Sequence, residues 1–360
     1  MSVECGTVNN FTAGALTLHV AIEKLALKEP FHITGHTMVD TDVVTVTLEK
    51  GGHIGRGEAS GVYYRKDDDA AGVVRQIEAV RARIEAGIDR ESLQRLLPTG
   101  GARNAVDCAL WDLEAKLTGR PAWQIAGLDP PQPLLTTFTV GADKPEKMAS
   151  GARAYADAKA IKLKLTGGPV DADRVRAVRN ARPDVWLGVD ANQGFTRGFL
   201  EMLMPTLLET RVELIEQPFE IGQEALLDGF KSPIPIAADE SVQGLADVRG
   251  LLGRFNVVNI KLDKCGGLTE GLAMARKARR LGLDVMVGNM VGTSLAMAPS
   301  CLVGQLCKVV DLDGPVFLST DRDIPVRYSG GSISCEDMPW GNSKPAAPHD
   351  VHGKAIGIMS

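Results

Sequence analysis

Long apolar runs are missing from this 360-residue chain: none approaches the roughly 20 residues that span a bilayer, so a membrane protein is excluded. Massed basic charge is missing too. Forty Lys and Arg stand scattered against 45 Asp and Glu, a formal net charge of −5, which argues against nucleic acid and for a small-molecule partner. Cys5, Cys108, Cys265, Cys301, Cys307 and Cys335 form no CxxC pair and no Cys/His cluster of zinc spacing. The amino terminus, MSVECGTVNNFTAG, lacks the basic start, apolar core and small-residue cleavage site of a secretory leader. Together these predict a cytoplasmic protein with reduced thiols and no disulfide framework.

The apolar share of 44% and charged share of 24% are those of an ordinary globular protein. Seven apolar, strand-like runs end in a single polar or charged residue, at Lys164, Asp190, Glu216, Asp239, Lys261, Asn289 and Asp311. These ends recur every 22 to 28 positions, the length of a strand, a helix and two short loops. With a first strand over Leu134 to Val140, eight such units predict an α/β protein of (β/α)8-barrel type.

The chain exceeds the roughly 250 residues of a bare barrel, leaving room for a second domain. Two β-rich runs, Ala15 to Lys28 and Asp42 to Leu48, flank the turn-prone FHITGHTMVDT, and GGHIGRGEA follows as a turn and third strand. Helical periodicity covers Ala70 to Ala86, Arg90 to Leu97 and Ala102 to Leu117. Residues 1–128 are thus expected to form an α+β capping domain, ended by the Pro-rich LDPPQP. Residues 134–320 would form the barrel, and 321–360, rich in Gly, Pro and Ser, would return toward the cap.

Carboxyl ends of barrel strands form the floor of an active site, so charged residues there imply an enzyme. Asp190, Glu216 and Asp239 close three consecutive strands in WLGVDAN, ELIEQP and IAADES, and hard oxygen ligands so placed suit Mg²⁺. The bland alternative is solvated loop carboxylates or helix caps. Lys162 and Lys164 alternate with apolar residues in AIKLKLTGG, so both face the barrel interior. Lys261, in VVNIKLDKCGG, lies on strand six, opposite strand two, so Lys164 and Lys261 can flank a substrate as base and acid.

The ordered set IKLKL, VDAN, IEQP, ADES and NIKLDKCGG, with NAVDCALWDLEAKLTG before it, resembles the enolase superfamily in its muconate lactonizing enzyme-like branch. The resemblance covers nearly the whole chain. It implies paired acid/base lysines at Lys164 and Lys261, Mg²⁺ ligands at Asp190, Glu216 and Asp239, and Glu240 behind them. It further implies proton abstraction beside a carboxylate, with the metal and Lys162 stabilising an enediolate.

Asp311 and Asp313, in VVDLDGP, resemble the pair that holds the substrate α-ammonium in dipeptide epimerases of this branch; a turn-forming Asp pair before Gly-Pro is the other reading. Thr137 and Asn289 match positions that contact the dipeptide there. The expected activity is therefore Mg²⁺-dependent epimerisation of a dipeptide. N-acylamino acid racemisation, o-succinylbenzoate synthesis and acid-sugar dehydration are alternatives served by the same site. Three departures stand out. His36 stands where the resembled alanyl-glutamate epimerases carry an Arg for the glutamate side chain, GEASGVYYRKDD places Tyr63 and Tyr64 where that family has a Pro-Tyr-rich stretch, and GNMVGTSLAMAPS lacks the family's frequent Met-x-Glu-Ser. Barrels capped in this way often associate, so a homo-oligomer is expected.

Overall fold

The protein, seen in a computed structural model, is described over residues 15–33 and 36–343, without the side chains of 32–36; Cys5 and the His36 side chain fall outside. Three antiparallel strands, β1 (Thr17–Ile33), β2 (His36–Lys50) and β3 (His53–Ala59), pair in that order. On β2, Val44, Val46 and Leu48 alternate inward and are wholly buried. The β1–β2 hairpin runs farther than the expected strands: after an irregularity between Ala26 and Phe31, pairing continues through Phe31↔Met38 to Ile33↔His36. Near Phe31 the hairpin is held by the barrel. Phe31 stacks on Phe317 at 4.6 Å between ring centroids, and Leu25, Leu27 and Val43 pack with Leu318.

Helices α1 (Ala70–Ala79), α2 (Arg81–Glu85), α3 (Arg90–Leu96) and α4 (Gly101–Thr118) complete the cap. The helix expected over Ala70 to Ala86 breaks at Val80, whose φ of −118° and ψ of 9° are not helical. A Cβ at Gly57 would stand 2.0 Å from the Ala105 carbonyl oxygen, so the missing side chain is what lets α4 lie flush on β3. α4 ends at Gly119, left-handed at φ 64°, and α5 (Ala122–Ile125) leads to the barrel.

The run expected as one first strand divides at Thr136 into β4 (Leu134–Leu135) and β5 (Thr137–Val140). There follow α6 (Pro145–Ala154), β6 (Ala160–Lys164), α7 (Asp171–Ala181), β7 (Trp186–Asp190), α8 (Arg197–Glu209), β8 (Leu214–Glu216) and β9 (Ile236–Ala238). Then come β10 (Val257–Ile260), α9 (Leu262–Cys265), α10 (Leu268–Arg280), β11 (Asp284–Val287), α11 (Ser294–Gly304) and β12 (Val309–Val310). Strands β5 to β12 pair in parallel, each with the next, as an eight-stranded barrel. After β8 and β9 the expected helices are replaced by 3-10 turns at Glu224–Leu227 and Asp247–Leu251. Gly222, Gly229, Pro233 and Pro235 around the first, and Gly244, Gly250 and Gly253 around the second, disfavour longer helices.

The seam between β12 and β5 is closed largely by side chains. Leu312 N–H donates to Thr136 Oγ1 at 3.0 Å, and Thr139 N–H donates to Asp313 Oδ2 at 2.7 Å. Beyond it, β13 (Arg327–Ser329) and β14 (Ser332–Ser334) form a small sheet with β4. Trp340 then reaches the cap, its indole N–H donating to the Arg56 carbonyl at 2.9 Å. One sequence expectation is overturned here: Cys301 on α11 and Cys335 after β14 form a disulfide, where reduced thiols were expected. Their Cα atoms stand 6.8 Å apart because the chain after Asp313 folds back over α11, a tertiary approach that no local spacing announces. Among the described residues no helix is long and apolar enough to cross a membrane.

Candidate active site

Among the described residues, ten buried ionisable side chains, besides Asp263, lie at the carboxyl end of the barrel. Six are acids, Asp190, Glu216, Asp239, Glu240, Asp311 and Asp313, and four are lysines, 162, 164, 261 and 264. The strands place them: Lys162 and Lys164 alternate on β6, Asp190 and Glu216 pair directly across β7 and β8, and Asp239 follows β9. Lys261 caps α9 just past β10.

Lys164 Nζ donates to Asp190 Oδ2 at 2.6 Å, and Lys261 Nζ donates to Asp239 Oδ2 at 2.6 Å. Between them Lys162 reaches Glu216 at 3.1 Å, Asp190 at 3.7 Å and the Asp311 carboxylate. Against the cost of burial, the charges of Asp311, Glu216 and Asp190 hold the Lys162 pKa well above its usual value. Glu216 is pushed up to about 7 by burial and by the Asp190 charge beside it. For Asp239, burial is outweighed by Lys261 and Lys264, which hold the carboxyl far below the usual range.

The residues fit a divalent cation on two grounds. Fully ionised, the cluster carries two negative charges more than its lysines neutralise. Beside Asp190 and Asp239, Glu240 Oε2 and Asn192 Oδ1 are buried without a hydrogen-bond partner, although Asn192 Nδ2 donates to Glu240 Oε1 at 3.3 Å. The hard oxygens suit Mg²⁺. Among the described residues no three His, Cys, Asp or Glu side chains stand at metal-ligand spacing; Asp190, Glu216 and Asp239 each accept from a lysine ammonium group, and Glu216 also from Asn259.

Asp311 and Asp313 lie at the barrel seam. Asp311 is engaged through both oxygens, by Lys162 and by the Thr137 hydroxyl. Asp313 commits one oxygen to Thr139 N–H, and burial together with the Asp311 charge pushes it up to about 6. Asn289 binds the backbone of this loop rather than standing apart from it: its Nδ2 donates to the Asp311 carbonyl at 2.8 Å, and its Oδ1 accepts from Gly314 N–H at 2.7 Å. Thr137 and Asn289 therefore hold Asp311 and its loop in place.

Several residues of the cluster's network, Asn192 among them, were not assigned roles from the sequence. Lys264 donates to the Asp239 carboxylate and carbonyl, and Asn259 donates to Glu216 Oε1 at 2.7 Å. Asn259 was open to the alternation argument, since it stands two residues before Lys261 on the same strand face. Asp263 accepts from Ser60 N–H at 2.9 Å and Gly61 N–H at 3.3 Å, and Arg65 donates to the Lys264 carbonyl at 3.1 Å. These bonds fix the cap loop that bears Tyr63 and Tyr64 over the Lys261 side of the site. The two rings meet edge to face at 5.1 Å; burial and the Glu240 charge push the Tyr63 phenol up to about 12.

Comparison with known proteins agrees with this architecture. Residues 15–127 match the mandelate racemase/muconate lactonizing enzyme N-terminal domain, and 147–339 match the enolase C-terminal domain-like family. An L-Ala-D/L-Glu epimerase of Escherichia coli (strain K12) is 38% identical over 319 residues, covering 88% of this chain and 99% of its own. An N-acetyl-D-glutamate racemase of Pseudoalteromonas sp is also 38% identical, over 78% of this chain and 90% of its own. An Agrobacterium tumefaciens enolase family member with bound sodium and L-Ala-L-Glu superposes with a TM-score of 0.86 at 41% identity, covering 93% and 99%. A dipeptide epimerase of Enterococcus faecalis V583, complexed with Mg and L-Leu-L-Tyr, gives 0.80 at 28% identity, covering 90% and 96%. The chain belongs to the mandelate racemase/muconate lactonizing enzyme family of the enolase superfamily, in which a capping domain closes a (β/α)8-type barrel.

Proposed function

We propose that this enzyme epimerises dipeptides with a free amino terminus, inverting the α-carbon next to the carboxylate by two-base proton transfer. The observation that carries it is the opposition of Lys164 and Lys261 across the barrel, on β6 and just past β10. One lysine removes the α-proton from one face, and the other returns a proton to the opposite face. Asp190, Glu216 and Asp239 would hold Mg²⁺, which supplies Lewis-acid stabilisation of the charge that builds on the substrate carboxylate. Lys162, already set among carboxylates, adds a second cation toward the enediolate oxygens.

Asp313 supports the free amino terminus: an acid raised by burial and by the Asp311 charge gains from an arriving ammonium. Tyr63 and Tyr64 favour an apolar side chain on the inverted residue. A second reading, racemisation of N-acylamino acids, draws on the Asp311 carboxylate being satisfied within the protein by Lys162 and Thr137. A panel of free dipeptides and N-acetyl amino acids, assayed with Mg²⁺ and after EDTA treatment, separates the two. The first reading expects Mg²⁺-dependent inversion of free dipeptides; faster turnover of N-acyl substrates gives the site to the second. Homo-oligomeric assembly and a cytoplasmic location belong to the same proposal, and sedimentation and fractionation test them.

A further inference from the structure

Two lysines hold Asp239, and they differ in kind. Lys261 is 7% exposed and donates to Oδ2, whereas Lys264 is 1% exposed and donates to the Asp239 carbonyl at 2.5 Å, to the Asn259 carbonyl at 3.1 Å and to Asp239 Oδ1. An ammonium group has three donors, so Lys264 is saturated by these three acceptors. Asp239 N–H in turn donates to Gln217 Oε1 at 2.9 Å. Its backbone and Oδ1 are therefore tied by Gln217 and the saturated Lys264, while Oδ2 is held by Lys261, the less buried of the two ammonium groups.

The tie reaches the cap. Asp263 takes the Ser60 and Gly61 N–H groups, Arg65 donates to the Lys264 carbonyl, and Arg103 donates to the carbonyls of Cys265 and Gly266. The short helix α9 is thus gripped by the capping domain at Asp263, Lys264 and Cys265 and at Gly266 just past its end, which sets where the Lys264 ammonium stands.

From this geometry we infer that Lys264 is a positioning residue that keeps Asp239 a one-oxygen metal ligand and so biases the site toward Mg²⁺ over Ca²⁺. Mg²⁺ demands near-octahedral geometry with short bonds, whereas Ca²⁺ is larger and readily takes both oxygens of one carboxylate. With Oδ1 held by the buried, saturated Lys264, two-oxygen binding at Asp239 costs a charge-assisted hydrogen bond that one-oxygen binding through Oδ2 keeps. This inference rests on the metal reading proposed above.

The test is calorimetric titration of the whole protein with MgCl₂ or CaCl₂ alone, no substrate present, for wild type, Lys264→Met and Lys264→Gln. Met removes charge and donors at similar length; Gln keeps an N–H donor without the charge and is read in the same way should the Met variant not fold. Wild type is expected to prefer Mg²⁺. The Mg²⁺-to-Ca²⁺ affinity ratio is expected to fall about tenfold or more in Lys264→Met, chiefly through tighter Ca²⁺ binding, and less in Lys264→Gln. A ratio unchanged in the folded variants, with only thermal stability lowered, reduces Lys264 to a structural counter-ion and overturns the inference. A wild type that binds neither ion instead overturns the metal reading and takes the inference with it.

Discussion

Lys164 and Lys261 stand four strands apart in a ring of eight, and each ammonium holds one oxygen of a different carboxylate, Asp190 and Asp239, at the same 2.6 Å. Two bases so opposed handle opposite faces of one carbon. Replacing either by Ala should lower epimerisation by at least about 10²–10⁴-fold, since both protons must move. Single-face exchange of one stereoisomer with solvent should survive, and which isomer exchanges should swap between the two variants. Stopped epimerisation with neither isomer exchanging in either variant would point to misfolding, which circular dichroism checks; undiminished epimerisation in a variant rejects the two-base scheme.

Metal affinity should depend on pH through Glu216. Its carboxyl, raised to about 7, is protonated below that pH, and the proton must leave before the oxygen can bind a cation. Mg²⁺ affinity should therefore climb with pH up to about 7 and level off above it, with protons released on binding. Without metal the sign for stability is opposite: Glu216 and Glu240, the latter raised to about 8, bind protons more tightly folded than unfolded. Metal-free stability should fall as pH rises from about 4.5 to about 8. Calorimetry in buffers of different ionisation enthalpy checks the first, and thermal melts with EDTA the second.

The two acids of the seam should behave differently. Asp311→Asn removes a charge that holds Lys162 and should be severe, on the order of 3–5 kcal/mol, because it breaks a buried ion pair. Asp313→Asn keeps an oxygen for Thr139 N–H, so the fold should persist. Its kcat/KM for free dipeptides should drop by roughly two orders of magnitude, and N-acetylation of the substrate should hurt wild type equally. Melting temperatures and steady-state kinetics of both variants read this out.

The barrel was legible in the sequence because each strand end is a polar residue closing an apolar run, and that period survives any detail of packing. The detailed course of the chain was less so. Thr136 splits the first strand because its hydroxyl is drawn into the seam with β12, a partner some 170 residues away in sequence. The β1–β2 hairpin outruns its β-rich segments because Phe31 finds Phe317, and Cys301 finds Cys335, by contacts that only the closed barrel creates. Alternation on β6 placed Lys162 and Lys164 inside, but which carboxylate each would hold was not written in the spacing. Lys264 escaped notice because it lies past the strand end, on a turn whose course the cap imposes.

Tyr63 is expected to shape the choice of substrate. Tyr63→Ala should raise KM for dipeptides with an apolar carboxyl-terminal residue and leave kcat within a few-fold, since the ring borders the site without engaging the reacting carbon. Equal losses across all side chains would assign the tyrosine to cap docking.

Wild-type enzyme with Mg²⁺ in D₂O, followed by proton NMR, puts the central claim to its most direct test. A free dipeptide is expected to lose the α-proton signal of its carboxyl-terminal residue while the second diastereomer appears, with the amino-terminal α-proton untouched. Exchange confined to N-acylamino acids, with every free dipeptide inert, would contradict it.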